Sequence, residues 1–237
     1  MDLAGEGFRF VPSFRWRVAM ATDGATAQIG VLLVDDHAVV REGYRRLLER
    51  DARLSVVGEA SGAADALRLD AQLRPDVIVL DIALPGVSGI EILRRILSRR
   101  PEACVLMFSM YQDGIYAARA LQAGARGYVS KASAPELLVE AVRAVAGGER
   151  YVSPDVEAAM SKQNSAPGQL ADALSTRELE VLGLLTQGYG MDEIGARLGL
   201  SPKTAANHQS SIKQKLGANS ALQLILIAQQ YGLDSGK

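Results

Sequence analysis

Three aspartates carry the strongest chemical signal in this 237-residue chain. Asp35 and Asp36 follow the apolar run at 29–34, and Asp81 follows a second at 76–80. Ser109 ends a third such run, and Lys131 follows a fourth at 127–129. On a parallel sheet these side chains would converge on one rim. Three carboxylates without an arginine partner repel one another and raise their pKa values, a conflict that a divalent cation resolves. Mg²⁺ suits a site with few carboxylates, retained waters and a phosphoryl oxygen. The rim would then combine a metal, a carboxylate nucleophile, a hydroxyl donor and a cation that neutralises transferring phosphoryl oxygens. Taken singly, an acid after a strand is usually a helix cap and a lysine is usually solvated. The weight lies in all five standing at successive strand ends.

The elements that must position them are legible as a pattern. Apolar runs at 29–34, 54–57, 76–80, 105–108 and 127–129 alternate with helix-like stretches at 39–50, 63–73, 88–99, 114–123 and 135–146. This predicts a doubly wound, five-stranded parallel sheet covered on both faces, an α/β fold. Such sheets bind ligands at the carboxyl ends of their strands, beside a topological switch point.

From Gly147-Gly148 the character changes. Pro154, Asn164-Ser165 and Pro167-Gly168 mark breaks, so 149–172 reads as a linker, with one or two helical turns at 154–162. From 173 to 237 the pattern is all-helical. Ser175-Thr176-Arg177-Glu178 forms a capping box. Gly188-Tyr189-Gly190 ends that helix, a short one covers 191–198, and Ser201-Pro202 caps a third that runs to Leu216 before Gly217. A fourth, strongly apolar helix covers 220–231. Four short helices form a domain too small for a large catalytic pocket. The expected division is an extension at 1–27, an α/β domain at 28–148, a linker at 149–172 and a helical domain at 173–237.

Bulk properties exclude several classes. A hydrophobic fraction of 48% with 22% charged residues is globular, not disordered. No apolar run approaches the roughly eighteen residues of a membrane span. The single cysteine, Cys104, lies in an apolar run and reads as a buried core thiol, which fits a reducing, cytoplasmic setting. Net charge is −1, and segments 28–150 and 170–237 each balance, at 16 acids to 16 bases and 6 to 6. Affinity for DNA must therefore come from local placement of charge. Residues 1–27 mix arginine with aromatics and lack a signal-peptide core. They are expected to be a disordered extension, or a stretch upstream of a start at Met20.

The segments VLLVDDHAVVREGYRRLL, VIVLDIALPGVSGIEIL, VLMFSM and GYVSKASAPELLVEAV resemble the receiver domain of two-component systems over about 29–148. The resemblance implies that Asp81 is the phosphoacceptor. It makes Asp36 the main Mg²⁺ carboxylate, with Asp35 acting through water and Ala83 lending its carbonyl. Ser109 is then the switch hydroxyl, Lys131 the phosphate-contacting ammonium, and Tyr128 the aromatic that turns inward on activation. Leu84-Pro85 stands where Met-Pro is frequent, and Ala132 follows Lys131 where proline is common, so no cis-proline is expected there. Met110, bulky and next to Ser109, is expected to slow hydrolysis of the acyl phosphate.

The stretch from Leu174 to about Leu233 resembles the helix-turn-helix domain of NarL/FixJ (LuxR-type) regulators. Its third helix, 202–216, holds basic and small polar residues with no acid, and Ala205, Ile212 and Leu216 suit a core face. The resemblance places Ala206, Asn207 and Ser210 at base edges, and Lys203, Thr204, His208 and Lys213 at phosphates. Asn207 suits adenine, and Ala206 a thymine methyl. Direct readout is sparse, which leaves part of the specificity to DNA shape. The last helix would pair with its copy in a homodimer on an inverted-repeat operator.

Together these resemblances imply a response regulator transcription factor, phosphorylated by a sensor histidine kinase, dimeric when active, and acting on double-stranded DNA with RNA polymerase as a further partner. A haloacid-dehalogenase-like phosphatase would need an acid at position 83, where alanine stands. A DNA binder that ignores phosphorylation, with the sheet domain serving only dimerisation, is opposed by the intact Asp35/Asp36/Asp81/Ser109/Lys131 set.

Overall fold

The computed structural model describes residues 28–163, 173–230 and Leu233. The expectations for residues 1–27 and for the breaks at 164–168 lie outside them. Five strands, β1 (Ile29–Val34), β2 (Leu54–Ala60), β3 (Val77–Leu80), β4 (Val105–Ser109) and β5 (Gly127–Ser130), alternate with α1 (Ala38–Leu48), α2 (Ala63–Leu73), α3 (Gly89–Arg99), α4 (Gly114–Gln122) and α5 (Pro135–Ala146). These strands are parallel, in the order β2-β1-β3-β4-β5.

A sixth strand, β6 (Tyr151–Val152), extends the expected five-stranded sheet by one short edge strand. It lies in the stretch read as linker. An aromatic and a β-branched residue after the Gly147-Gly148 turn add to the free edge of β5, where Tyr151 N–H donates to the Arg126 carbonyl and Ser153 N–H to that of Tyr128. Two residues are too few to show a strand period. α6 (Pro154–Gln163) follows, with Val156 fully buried, so the first half of the expected linker is ordered against the sheet domain.

Alternation along the strands sorts the core onto two faces. Val31, Leu33, Val77, Val79 and Phe108 pack with Leu48, Leu138, Val142 and Val145 from α1 and α5. Leu32, Val34, Ile78, Leu80 and Met107 pack with Ile92, Leu93, Ile96, Tyr116 and Ala120 from α3 and α4. Cys104 is only half-buried, a departure from the core thiol expected, because it stands just before the amino-terminal end of β4; burial still pushes its thiol pKa up.

The C-terminal region has the four expected helices, α7 (Thr176–Thr186), α8 (Met191–Leu198), α9 (Pro202–Leu216) and α10 (Ala221–Gln230). The capping box forms, with Glu178 N–H donating to Ser175 Oγ and Ser175 N–H to Glu178 Oε2. Ser201 caps α9 with Pro202 in its first turn, and Gly217 ends it at φ +66°. The second apolar layer of the sheet runs on without a break into Leu179, Leu182, Ile194 and Leu224 of these helices.

Candidate functional site

The chain reverses its winding between β1 and β3, and the predicted acids sit at that switch point. Asp35 N–H donates to Ala60 at the end of β2, and Asp81 N–H to Val34 at the end of β1. Both side chains are buried. Lys131, just past β5, reaches across with its ammonium 2.5 Å from Asp35 Oδ2 and 2.6 Å from Asp81 Oδ2. The acid–acid repulsion expected from the sequence is thus answered partly within the chain. Burial pushes the Asp81 carboxyl up while the Lys131 charge draws it back. The same desolvation would discharge Lys131, but its two carboxylates more than offset this and hold it protonated. The contact geometry favours the ion pair.

Ser109 is fully buried at the end of β4, and its Oγ accepts from Tyr111 N–H. Ala83 N–H donates to Asp81 Oδ1 at 3.2 Å. Asp36 differs from its neighbours. Its Oδ1 is buried with no hydrogen bond, although His37 Nδ1 stands 2.9 Å away. Donor atoms of Asp35, Asp36 and His37 lie within 4.8 Å of one another. The orphaned Asp36 oxygen with the Asp35 carboxylate beside it fits a hard divalent cation such as Mg²⁺, whereas Asp81 stands outside this group and meets Asp35 through Lys131.

Tyr128 is turned inward, with no exposed surface and its hydroxyl donating to the Tyr111 carbonyl at 2.6 Å. Met110, the residue after Ser109, is 65% exposed. No peptide bond among the described residues is cis, as expected at Ala132.

On α9, Ala205 and Ile212 are fully buried and Leu216 partly, as the core face requires. Lys203, Asn207 and Ser210 are exposed, while Thr204, Ala206, His208 and Lys213 are half-buried. Ser210 Oγ donates to the Ala206 carbonyl and Thr204 Oγ1 lies 2.8 Å from Ser201 Oγ, so both hydroxyls have local partners. Leu222 and Leu226 on α10 remain 67% and 52% exposed.

Sequence reasoning missed the contacts between the two regions. Arg177 on α7 donates to the carbonyls of Leu84 and Leu198, and Gly86 N–H also donates to Leu198. Arg119 on α4 donates to the Leu174 carbonyl. Glu180, fully buried, pairs with Arg177 at 2.5 Å; desolvation raises its pKa against that charge. Arg177 and Glu180 read from sequence as ordinary solvated helix charges. Arg41, also missed, donates to the Asp35 carbonyl. Its only signal was its place one helical turn beyond the acids.

Comparisons with known proteins agree with this geometry. Residues 31–143 match the response regulator receiver domain, and residues 172–228 match the bacterial regulatory proteins of the luxR family. The response regulator UvrY of Escherichia coli K12 is 36% identical over 208 residues, covering 86% of this chain and 95% of that protein. RcsB from Salmonella enterica serovar Typhimurium, solved bound to promoter P1flhDC in the presence of phosphomimetic BeF₃⁻, is 27% identical with a TM-score of 0.61, over 88% of this chain and 100% of that one. A structure of two RcsB dimers bound to two parallel DNAs is 26% identical with a TM-score of 0.56, over 85% and 98%. With the acid rim of a receiver at one end and a capped, acid-free helix at the other, the chain belongs to the two-component response regulators that carry a LuxR-type helix-turn-helix DNA-binding domain.

Proposed function

We propose that this protein is a cytoplasmic transcription factor switched by phosphorylation of Asp81, with a sensor histidine kinase as donor. One observation carries the reading: Asp81 and Asp35, from two strands at the switch point, share the Lys131 ammonium at 2.6 and 2.5 Å. An ammonium held there is placed to neutralise a phosphoryl group on Asp81, which adds roughly −1.5 to −2 charge. Asp36 and Asp81, with the Ala83 carbonyl and Asp35 at one remove, would hold Mg²⁺, which supplies charge neutralisation at the transferring oxygens. The buried Ser109 hydroxyl is the donor for the remaining phosphoryl oxygen. The protein accepts the group on its own carboxylate and is not a turnover enzyme.

The division into an N-terminal extension to 27, a receiver at 28–148, a linker at 149–172 and a DNA-binding domain from 173 follows this reading. The signal has a short route to the DNA-binding domain. Leu84 and Gly86, which bond Arg177 and Leu198, lie three and five residues past Asp81, and Tyr111, beside Ser109, stacks on Tyr116 at 4.3 Å, against Gly183 of α7. A phosphoryl group that draws in Ser109 and Lys131 strains both loops and loosens α7. The freed domains pair through the exposed Leu222 and Leu226, and a homodimer presents two α9 helices to an inverted repeat, with RNA polymerase as the further partner. Asn207 reads a base, Ala206 and Ser210 line the groove, and Lys203, Thr204, His208 and Lys213 meet phosphates.

The test is incubation of the purified protein and Asp81→Asn with a small phosphodonor and Mg²⁺, reading intact mass and dimerisation together. A single phosphoryl adduct, absent from Asp81→Asn and accompanied by dimerisation, is the expected result. No adduct with any donor would make the receiver a scaffold.

A further inference from the structure

Arg41, on α1, is 15% exposed and spends its guanidinium on fixed partners. Nη1 donates to the main-chain carbonyl of Asp35 at 2.5 Å, and Nε to Glu59 Oε2 at 3.3 Å. Glu59, near the end of β2, is held on its other oxygen by Arg45 Nη1 at 2.8 Å. The Asp35 N–H is taken at the same time by the carbonyl of Ala60, the residue after Glu59. Asp35 is therefore tied to the end of β2 through both its N–H and its C=O, one directly and one through Arg41. Each oxygen of the Asp35 carboxylate is engaged too, one accepting from the His37 N–H at 2.8 Å and the other from Lys131. What this leaves is the Asp36 carboxylate, the next residue along, whose buried Oδ1 accepts no hydrogen bond and has the His37 Nδ1 2.9 Å away.

We propose that Arg41 is a positioning residue for the divalent cation: it holds the acidic turn 35–37 in the shape that presents Asp36 at the rim, and Glu59 holds Arg41 in place. The proposal rests on reading that rim as an Mg²⁺-dependent phosphoacceptor site. Arg41 touches no reacting atom. It acts on the peptide that carries the ligands, as hydrogen-bond partners behind metal ligands generally do, and loss of such a partner costs about tenfold or more in metal affinity. Charge alone argues the opposite way. A guanidinium near the acids repels Mg²⁺, so deleting its charge without any positioning effect would tighten binding. The sign of the change separates the two roles.

The experiment compares the full-length protein with Arg41→Gln, Arg41→Lys and Glu59→Gln. Mg²⁺ binding is read by calorimetric titration, folding by melting without metal, and adduct formation from a small phosphodonor by intact mass across Mg²⁺ concentrations. Arg41→Gln is expected to weaken Mg²⁺ binding about tenfold. It should raise the Mg²⁺ needed for half-maximal adduct formation while leaving the saturated rate near wild type. Arg41→Lys recovers part of the loss, and Glu59→Gln shifts affinity in the same direction by less.

Unchanged or tighter Mg²⁺ binding in a folded Arg41→Gln overturns the proposal. If that variant does not fold, unchanged affinity in both Arg41→Lys and Glu59→Gln does so. Weakened Mg²⁺ binding in Arg41→Gln with no adduct even in wild type would sink the phosphoacceptor reading and leave the positioning role standing. Normal adduct formation with unaltered affinity would do the reverse, and a wild-type protein that binds no Mg²⁺ would overturn both.

Discussion

Arg177 donates to the main-chain carbonyl of Leu84 at 3.4 Å, three residues beyond Asp81, from a helix that belongs to the DNA-binding domain. The same guanidinium holds the Leu198 carbonyl and the buried Glu180 carboxylate. One side chain thus serves the loop past Asp81, the turn before α9 and the interior of α7. Arg177→Gln leaves two carbonyls short of a charged donor and Glu180 buried without its cation. The expected outcome is a loosened pair of domains, seen as a larger radius of gyration in solution scattering, and a loss of about 3–5 kcal/mol of stability.

Lys131 offers a sharper test of the rim. Replacing it with methionine keeps the apolar stem over Phe108, whose ring lies 5.8 Å from the ammonium, but leaves Asp35 and Asp81 facing each other without a cation. Removing one partner of a buried charge cluster costs about 3–5 kcal/mol. Mg²⁺ should restore much of that, so the melting temperature of Lys131→Met is expected to rise more on adding Mg²⁺ than that of wild type. Equal shifts in both would mean that the acids are not a shared cation site.

The C-terminal domain should weaken in acid through Glu178. Burial pushes this carboxyl up, but bonds from Lys215, Ser211 and Ser175 outweigh that and hold its pKa at about 2, below the ordinary 4.5. A carboxyl depressed on folding adds stability above its unfolded value, and that contribution is lost as pH falls from 4.5 toward 2. Glu178→Gln is expected to be less stable than wild type at neutral pH and to converge with it near pH 2 in thermal melts.

On DNA, Asn207→Ala should cost about 1–3 kcal/mol on a cognate inverted repeat and little on random duplex. Lys203→Ala should weaken both alike and lower the salt slope by about one. Titrations on the two duplexes at several salt concentrations separate these outcomes. Equal losses for Asn207→Ala would remove it from base readout.

Dimerisation is expected to depend on Leu222 and Leu226, which stand on one face of α10, four residues apart and open to solvent. Leu226→Glu should leave the fold and the phosphoryl adduct intact and abolish dimer formation, as read by analytical ultracentrifugation of phosphorylated protein.

The site was legible because it is written in strand ends. Asp35, Asp81, Ser109 and Lys131 each follow an apolar run, and parallel pairing leaves them nowhere to go but one edge. The caps at Ser175 and Ser201 were legible for a similar reason, since their chemistry is local. What escaped notice depends on distant packing. β6 is two residues long and exists only because β5 has a free edge. Arg41 matters through a backbone carbonyl, which no residue pattern announces. Glu180 reads as a solvated helix acid, and its complete burial follows from α7 facing two cores at once, its own domain on one side and the Tyr116 face of the receiver on the other.

That double burial of α7 also bears on inheritance. A Cβ at Gly183 would lie 3.1 Å from the Tyr116 hydroxyl, so a side chain larger than alanine there must displace either the Tyr116 ring or the helix. Mutants that signal without a stimulus should therefore arise at Gly183 and its neighbours on α7 as well as around Asp81. A genetic screen for constitutive alleles that returned only changes around the acids would show that the helix is not where the two domains are held.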